Sequence, residues 1–64
     1  MTIRDIKKGE YFTKKQIEEP TESQVWVKGD YCREAKKYFI HRFSDVNDSQ
    51  LYDAKKPIYT DFYF

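Results

Sequence analysis

Cys32 and His41 are the two side chains of this sequence that could do nucleophilic chemistry, because a thiol becomes a nucleophile when an imidazole takes its proton. Such a pair works only when both groups face each other in a cleft and a third group orients the imidazole. We predict that the two residues lie on adjacent strands of a hairpin, where contact is feasible but a shallow sheet face gives little to exclude water. We therefore expect a partly buried cysteine, a histidine at the surface or rim, and no enzymatic activity.

Metal ligation finds little support, and paired lysines such as Lys14-Lys15 and Lys55-Lys56 fit either protection of sheet edges, which we favour, or phosphate binding. One cysteine and one histidine are too few ligands for a zinc site. The run Asp45-Val46-Asn47-Asp48 lacks the glycine and the distal glutamate of a calcium loop, and capping of turns explains its carboxylates. Gly9 and Gly29 are the only glycines, so no glycine-rich loop can surround a phosphate. We expect no metal, no cofactor and no small-molecule substrate.

Aromatic rings beside cations point to binding instead. Aromatic residues make up 19% of the chain and occur on both parities of its strand-like segments, so one buried face cannot hold them all. We place part of this set on an outward sheet surface. The predicted binding residues are the aromatics Trp26, Phe39, Tyr59 and Tyr63 together with Lys28, Lys37, His41 and Arg42.

Three uses of these rings stay open. A fold of 64 residues can need nearly all its rings for core or second-layer packing. Rings on a sheet can also bind a protein partner, or they can stack the bases of single-stranded nucleic acid at about 1–3 kcal/mol per base. Twelve basic against eleven acidic residues give no global field to attract a polyanion. The function that we favour is therefore a protein-binding or assembly module, with an accessory protein that binds single-stranded nucleic acid as the alternative.

Length and composition indicate one small cytoplasmic domain over residues 1–64. The single cysteine excludes an intramolecular disulfide, which small secreted domains usually carry. The first eight residues have no apolar segment of the kind found in signal peptides, and no stretch approaches 18 apolar residues. We expect neither secretion nor membrane spanning.

Strand and turn signals alternate along the chain without a repeat or a linker. Ile3 and Ile6 predict one helical turn that Gly9 ends. Gly29 lies inside a strand pattern, where glycine marks a bulge. The predicted strands cover residues 11–13 with a continuation toward 17, 24–32, 38–43, 50–52 and 57–64. The predicted turns and loops cover residues 18–23, 33–36, 44–49 and 53–56.

Sequential hairpins without βαβ spacing predict a mainly all-β fold, either a small five-stranded antiparallel barrel or a strongly curled sheet, with one or two short helical turns. The chain opens with Ile3-Arg4-Asp5-Ile6, two lysines, Gly9-Glu10 and the strand Tyr11-Phe12, and it ends with Ile58-Tyr59 in a closing strand. This pattern resembles many small SH3-like barrel proteins of bacteria and their phages. The resemblance implies a fold and no activity.

Strand parity predicts which residues form the core, and the closing strand is the predicted site of self-association. Val25, Val27 and Tyr31 should share a face that Tyr38 and Ile40 complete. The residues expected to be largely buried are Ile3, Ile6, Val25, Val27, Tyr31, Ile40 and Ile58. The closing strand carries Phe62, Tyr63 and Phe64 on a terminal edge, so we expect the chain to associate with itself there.

Overall fold

The computed structural model describes residues 1–63 and has a mainly β fold. Four antiparallel strands form one sheet in the order β1-β2-β3-β4, so each strand lies beside its neighbour in sequence. Two short 3-10 turns accompany the sheet, which confirms the predicted fold class at this level. The strands are β1 (Tyr11–Phe12), β2 (Trp26–Cys32), β3 (Lys37–Arg42) and β4 (Asp45–Asp53), and the 3-10 turns are Ile3–Asp5 and Glu22–Gln24.

The first strand is shorter than predicted. It ends at Phe12 because the Thr13 hydroxyl donates a hydrogen bond of 2.6 Å to the Lys15 carbonyl, which turns the chain away from the sheet. The loop expected at residues 18–23 is exposed apart from Pro20, and the second 3-10 turn begins at Glu22.

The C-terminal segment, predicted as a fifth strand, forms isolated bridges instead. Pro57 bridges to Thr2, and Tyr59 bridges to Thr13 through two reciprocal backbone hydrogen bonds of 2.9 and 3.1 Å. Because these partners belong to two separate segments, the C-terminal residues have no single strand along which to build a ladder. Phe64, which we assigned to this strand, lies outside the described residues.

The β2–β3 hairpin follows the prediction closely. Its turn covers residues 33–36, and the register shifts between Lys28 and Tyr31. A Cβ atom at Gly29 would lie 2.8 Å from the carbonyl oxygen of Phe39, closer than real Cβ contacts come. Glycine therefore permits the close approach of β3 at this bulge.

The turn predicted at residues 44–49 is mostly strand. The turn itself is confined to Phe43 and Ser44, and β4 begins at Asp45. The register then jumps, since Arg42 pairs with Asp45 whereas His41 pairs with Ser49. The extra residues of this long bulge are polar residues that favour turns, which is why their pattern predicts a turn.

The core lies between the sheet and the chain's two terminal segments. Of the seven residues expected there, all but Tyr31 are buried. Tyr31 is 47% exposed because it lies opposite Tyr38 near the hairpin turn, where the sheet extends beyond the core. The hydrophobic core cluster consists of Ile3, Ile6, Phe12, Trp26, Ile40, Tyr52 and Ile58.

Tyr31 shares a side of the sheet with Tyr38 and Ile40, as predicted, but the predicted side of Val27 is wrong. Ile40 lies opposite Lys28, and His41 lies opposite Val27, so Val27 and Ile40 are on different sides of the sheet. Trp26 shares the core side with Ile40 because its large ring buries more apolar surface there than a valine would. Val27 is nevertheless buried, under aromatic rings that cross the other side of β2.

Candidate binding surfaces

Strand parity divides the predicted binding residues between two sides of the sheet. Trp26, Lys28 and Arg42 lie on the core side, together with Ile40. Lys37, Phe39 and His41 lie on the opposite side, which we call the outer face. Tyr59 and Tyr63 belong to the C-terminal segment, outside the four strands; Tyr59 is half-buried and Tyr63 is exposed. The single surface expected from the sequence is therefore not formed.

Two of the predicted binding residues are buried inside the protein. Trp26 is 5% exposed and belongs to the core, which contradicts its expected outward orientation. The Lys28 ammonium donates a hydrogen bond of 2.5 Å to the Ile6 carbonyl and lies 4.6 Å from the centre of the Tyr38 ring. A lysine can be buried when its stem packs and its charge has such partners. Neither side chain offers a surface for stacking bases.

The outer face is apolar along its middle. Phe39 and Leu51 lie directly opposite each other on β3 and β4, and about 45% of each is exposed. Tyr11 is 44% exposed, and its ring meets the Phe43 ring edge-on with centroids 5.2 Å apart. Since β2 separates β1 from the end of β3, these two rings meet across β2 and cover Val27. His41 is half-buried between Val27 and Ser49.

Tyr11 and Leu51 are absent from the sequence-based set of binding residues. Their signal lies in the cross-strand register, because Tyr11 pairs with Val27 and Leu51 pairs with Phe39. The wrong side of Val27 obscured the register of Tyr11, and the turn predicted at residues 44–49, which is mostly strand, obscured that of Leu51.

One end of the outer face carries a pair of opposite charges. Lys37 on β3 lies directly opposite Asp53 on β4, and both share the parity of Phe39 and Leu51. The Asp53 carboxylate also accepts a hydrogen bond of 2.8 Å from the Lys55 backbone amide, which fixes its orientation.

A second surface lies at the rim of the core side, where cations cover two aromatic rings. The Lys14 ammonium is 4.0 Å from the centre of the Trp26 ring, and the Arg42 guanidinium carbon is 4.7 Å from it. The ammonium groups of Lys14 and Lys56 lie 5.6 and 5.8 Å from the centre of the Tyr52 ring. We call Lys14, Arg42 and Lys56 the cation cluster. Each lies within the range of a cation–π contact.

Polar contacts hold two members of the cation cluster in place. The Arg42 Nε atom forms an ion pair of 2.7 Å with Asp48, and its guanidinium also donates to the Ser23 carbonyl. The Lys14 ammonium donates a hydrogen bond of 2.8 Å to the Gln50 amide oxygen. Of these cations, only Arg42 belongs to the predicted binding set, since Lys14 and Lys56 come from loops that only the folded chain brings together.

Burial and like charge act on the ionisable groups at this rim. Burial lowers the pKa of Lys14 below its ordinary value of 10.5, and the neighbouring Arg42 charge lowers it further, whereas Asp48 opposes the shift. Burial raises the pKa of the Tyr52 phenol above its ordinary value of 10.0, and the neighbouring Tyr59 adds to that rise.

Cys32 and His41 do not form a pair. Cys32 lies opposite Lys37, four residues along β3 from His41, which puts the two backbones about 13 Å apart at roughly 3.3 Å per residue. In residues 1–63, no group of three or more histidine, cysteine, aspartate or glutamate side chains is placed to hold a metal ion. The same residues contain no helix that is long and apolar enough to cross a membrane.

No protein-family model matches the chain, and comparison with curated proteins and with solved structures also finds no match. The resemblance to SH3-like barrel proteins stays a prediction. The candidate functional features of the molecule are therefore its two surfaces, the outer face and the cation cluster.

Proposed function

We propose that this protein is a non-enzymatic assembly module and that its outer face binds a second copy of the chain. The observation that carries this proposal is the exposure of Tyr11, Phe39 and Leu51 on one side of the sheet, each at about 45%. Phe39 and Leu51 lie directly opposite each other, and large exposed apolar patches on soluble proteins mark interaction surfaces.

Charge on the outer face supports a second copy as the partner. Lys37 and Asp53 lie side by side at one end of the apolar patch. A two-fold axis through this region would place Lys37 of each copy near Asp53 of the other, and two-fold interfaces require this kind of self-complementarity. The pairs would lie at the rim, where charges contribute to specificity more than to affinity.

Association through strand edges is less well supported. In the described part of the chain, β4 forms one edge of the sheet and contains three aspartates but no lysine or arginine. Two such edges side by side would bring like charges together. The C-terminal segment, our predicted site of self-association, already uses backbone groups of Tyr59 to bond Thr13 and the amide of Tyr63 to bond Glu18.

We also infer that the C-terminal segment closes the sheet toward an SH3-like barrel in a cytoplasmic protein. The reciprocal bonds between Tyr59 and Thr13 support closure. Thr13 directly follows β1, so these bonds place the C-terminal segment beside the β1 edge of the sheet. The free thiol of Cys32 supports a reducing compartment.

Sedimentation velocity at micromolar concentration tests the assembly function. The wild-type chain should sediment as a dimer, and the double variant Phe39→Thr/Leu51→Thr should sediment as a monomer, because threonine keeps the preference for strand while removing the apolar patch. Tyr31→Thr is the matched control. Tyr31 is equally exposed, at 47%, but lies on the other side of the sheet, so this variant should remain dimeric.

A monomeric wild-type chain, or a folded double variant that still dimerises, would contradict the proposal. Near-ultraviolet circular dichroism of each variant establishes that it is folded. A larger species that dissociates only when Tyr63 is replaced would move the interface to the C-terminal segment.

The second candidate is an accessory protein that binds single-stranded nucleic acid, and the cation cluster is the observation in its favour. Burial of Trp26 removes the expected stacking platform, so binding would depend on charge alone. The assembly function predicts that labelled single-stranded DNA and RNA without terminal phosphates stay unbound at low salt. Binding that weakens with salt and with Arg42→Gln would favour the second candidate.

A further inference from the structure

We propose that the cation cluster of Lys14, Arg42 and Lys56 binds a compact phosphate oxyanion, such as a phosphate monoester or pyrophosphate. The site lies on the core side of the sheet, so the inference is independent of assembly through the outer face. Its basis is the charge balance of the cluster, its contacts with two rings, and the lack, within residues 1–63, of a carboxylate paired with Lys14 or Lys56.

The charge balance leaves the cluster about two positive charges in excess. Asp48 pairs with Arg42 at 2.7 Å and compensates one of the three cations. Within residues 1–63, no carboxylate forms an ion pair with Lys14 or Lys56. An oxyanion that carries two negative charges, as a phosphate monoester does near neutral pH, would compensate both.

Two neighbouring aromatic rings connect the three cations of the cluster. Trp26 and Tyr52 belong to the same core cluster, and Lys14 lies within 6 Å of the centres of both rings. Arg42 reaches the same Trp26 ring, and Lys56 reaches the same Tyr52 ring. Contacts with these rings, together with the polar contacts of Lys14 and Arg42, restrain the ends of flexible side chains and so reduce the conformational entropy that binding must remove.

A surface depression beside Trp26 offers room for the ligand. Its lining residues are the cations Lys14, Lys15 and Arg42, the polar Ser23 and Gln24, and the apolar Ile17 and Trp26. Lys56 lies outside this lining, at the Tyr52 ring. Arg42 uses its Nε atom for Asp48 and one terminal nitrogen for the Ser23 carbonyl. A guanidinium has five N–H donors, so it retains donors for an oxyanion, and lysine ammonium groups bind phosphate as point charges.

A purely structural role for these cations accounts less well for Lys14. Shielding an aromatic ring from water requires only the lysine stem. The Lys14 ammonium instead lies partly buried beside the like charge of Arg42, and both effects lower its pKa and so disfavour its charged form. A bound oxyanion would favour that form. Asp48 offsets these effects only in part, and perturbed pKa values of this kind are enriched at functional sites.

Titration with pyrophosphate and with inorganic phosphate at low ionic strength tests the proposal, with ¹⁵N amide shifts and Trp26 fluorescence as readouts. Both anions should give saturable changes at residues of the cluster, and chloride at equal ionic strength should not. Lys14→Gln should weaken pyrophosphate binding about tenfold, as loss of one partly screened charge contact implies. Lys56→Gln should weaken it in the same direction.

Lys7→Gln is the matched control, because it removes the same charge from an exposed position outside the cluster and should change the affinity less than about twofold. Phe39→Thr/Leu51→Thr should leave binding unchanged, which separates this inference from the proposed assembly. Unphosphorylated oligothymidylate distinguishes the source of phosphate: it should not bind. Preferential binding of the oligonucleotide, no saturable change with either phosphate, or equal loss in Lys7→Gln and in both cluster variants would overturn the proposal.

Discussion

The ammonium groups of Lys28 and Lys14 both lie beside aromatic rings, but they differ in the polar atoms that they contact. The ammonium of Lys28 is held by the Ile6 carbonyl, inside the protein and beyond the reach of a ligand. The ammonium of Lys14 bonds a neutral amide and faces another cation. The same residue type therefore serves the core in one position and forms a candidate binding site in the other, and the difference lies in the partner atoms.

Ile40 and Phe39 provide the sharpest contrast between neighbouring residues. Ile40 is 1% exposed and belongs to the core cluster, whereas Phe39 is 45% exposed on the outer face. Ile40→Ala should lower the free energy of unfolding by about 2–5 kcal/mol, because it removes buried methylene groups and leaves a cavity. Phe39→Ala should cost clearly less, although it removes a larger side chain. Urea denaturation of both variants below the concentration of self-association measures the difference, and equal losses would contradict the assignment of sides.

At the scale of elements, the sequence indicated the strands and hairpin turns that have strong local signals. Gly29 predicted the bulge in β2, and the polar residues 33–36 predicted the turn before β3. The sequence did not indicate in the same way which residues of β2 face the core. Val25, Trp26 and Val27 are consecutive apolar residues and are all buried. Because apolar and polar residues do not alternate here, the sequence does not indicate which side of the strand faces the core.

The binding residues were predicted less well than the strands for the same reason. Trp26 was predicted to point outward, and Lys28 was placed on the same surface because it has the same parity. Both side chains are buried. Phe39, His41 and Lys37 were assigned to an outward surface and lie on the outer face. The cation cluster depends on contacts of Lys14 and Lys56 with distant rings, and no local pattern encodes such contacts.

The bulge in β2 allows a test at this scale. Gly29→Ala should lower the free energy of unfolding by about 1–3 kcal/mol, because the new methyl group would meet the Phe39 carbonyl oxygen and push β3 away. Asp30→Ala, at the next position of the same bulge, should cost at most about 1 kcal/mol, since it breaks only an exposed ion pair with Lys8. Thermal or urea unfolding distinguishes them. A neutral Gly29→Ala would mean that β2 and β3 do not approach this closely.

At the scale of the whole molecule, Tyr52 connects the sheet to the C-terminal segment. Its ring belongs to the core, and its hydroxyl donates a hydrogen bond of 3.0 Å to the Pro57 carbonyl. Pro57 in turn bridges to Thr2, and Ile58 donates its amide hydrogen to the Met1 carbonyl. One phenol thus supports the contacts that bring both terminal segments over the core.

The stability of the protein should therefore depend on the ionisation of Tyr52. Burial raises its pKa above 10.0, so above that pH the folded protein retains a proton that the unfolded chain has lost. This contribution to stability is complete below pH 10 and falls as the pH rises through the folded-state pKa. Tyr52→Phe should be less stable than wild type at pH 8, and the difference should shrink above pH 10. Urea denaturation at pH 8 and pH 11 measures it, and a difference that grows with pH would contradict the argument.

The bond between Tyr59 and Thr13 also bears on the order of folding, because it joins residues 46 positions apart. The β2–β3 hairpin closes around a four-residue turn, and β4 follows it after a turn of two residues. Loop-closure entropy rises with the length of chain enclosed, and contacts between distant residues slow folding. Local hairpins can thus nucleate the sheet cheaply, whereas closure by the C-terminal segment has to wait until β1 is in place. Residues 57–63 would then complete the core in the final step of folding and leave it first in unfolding.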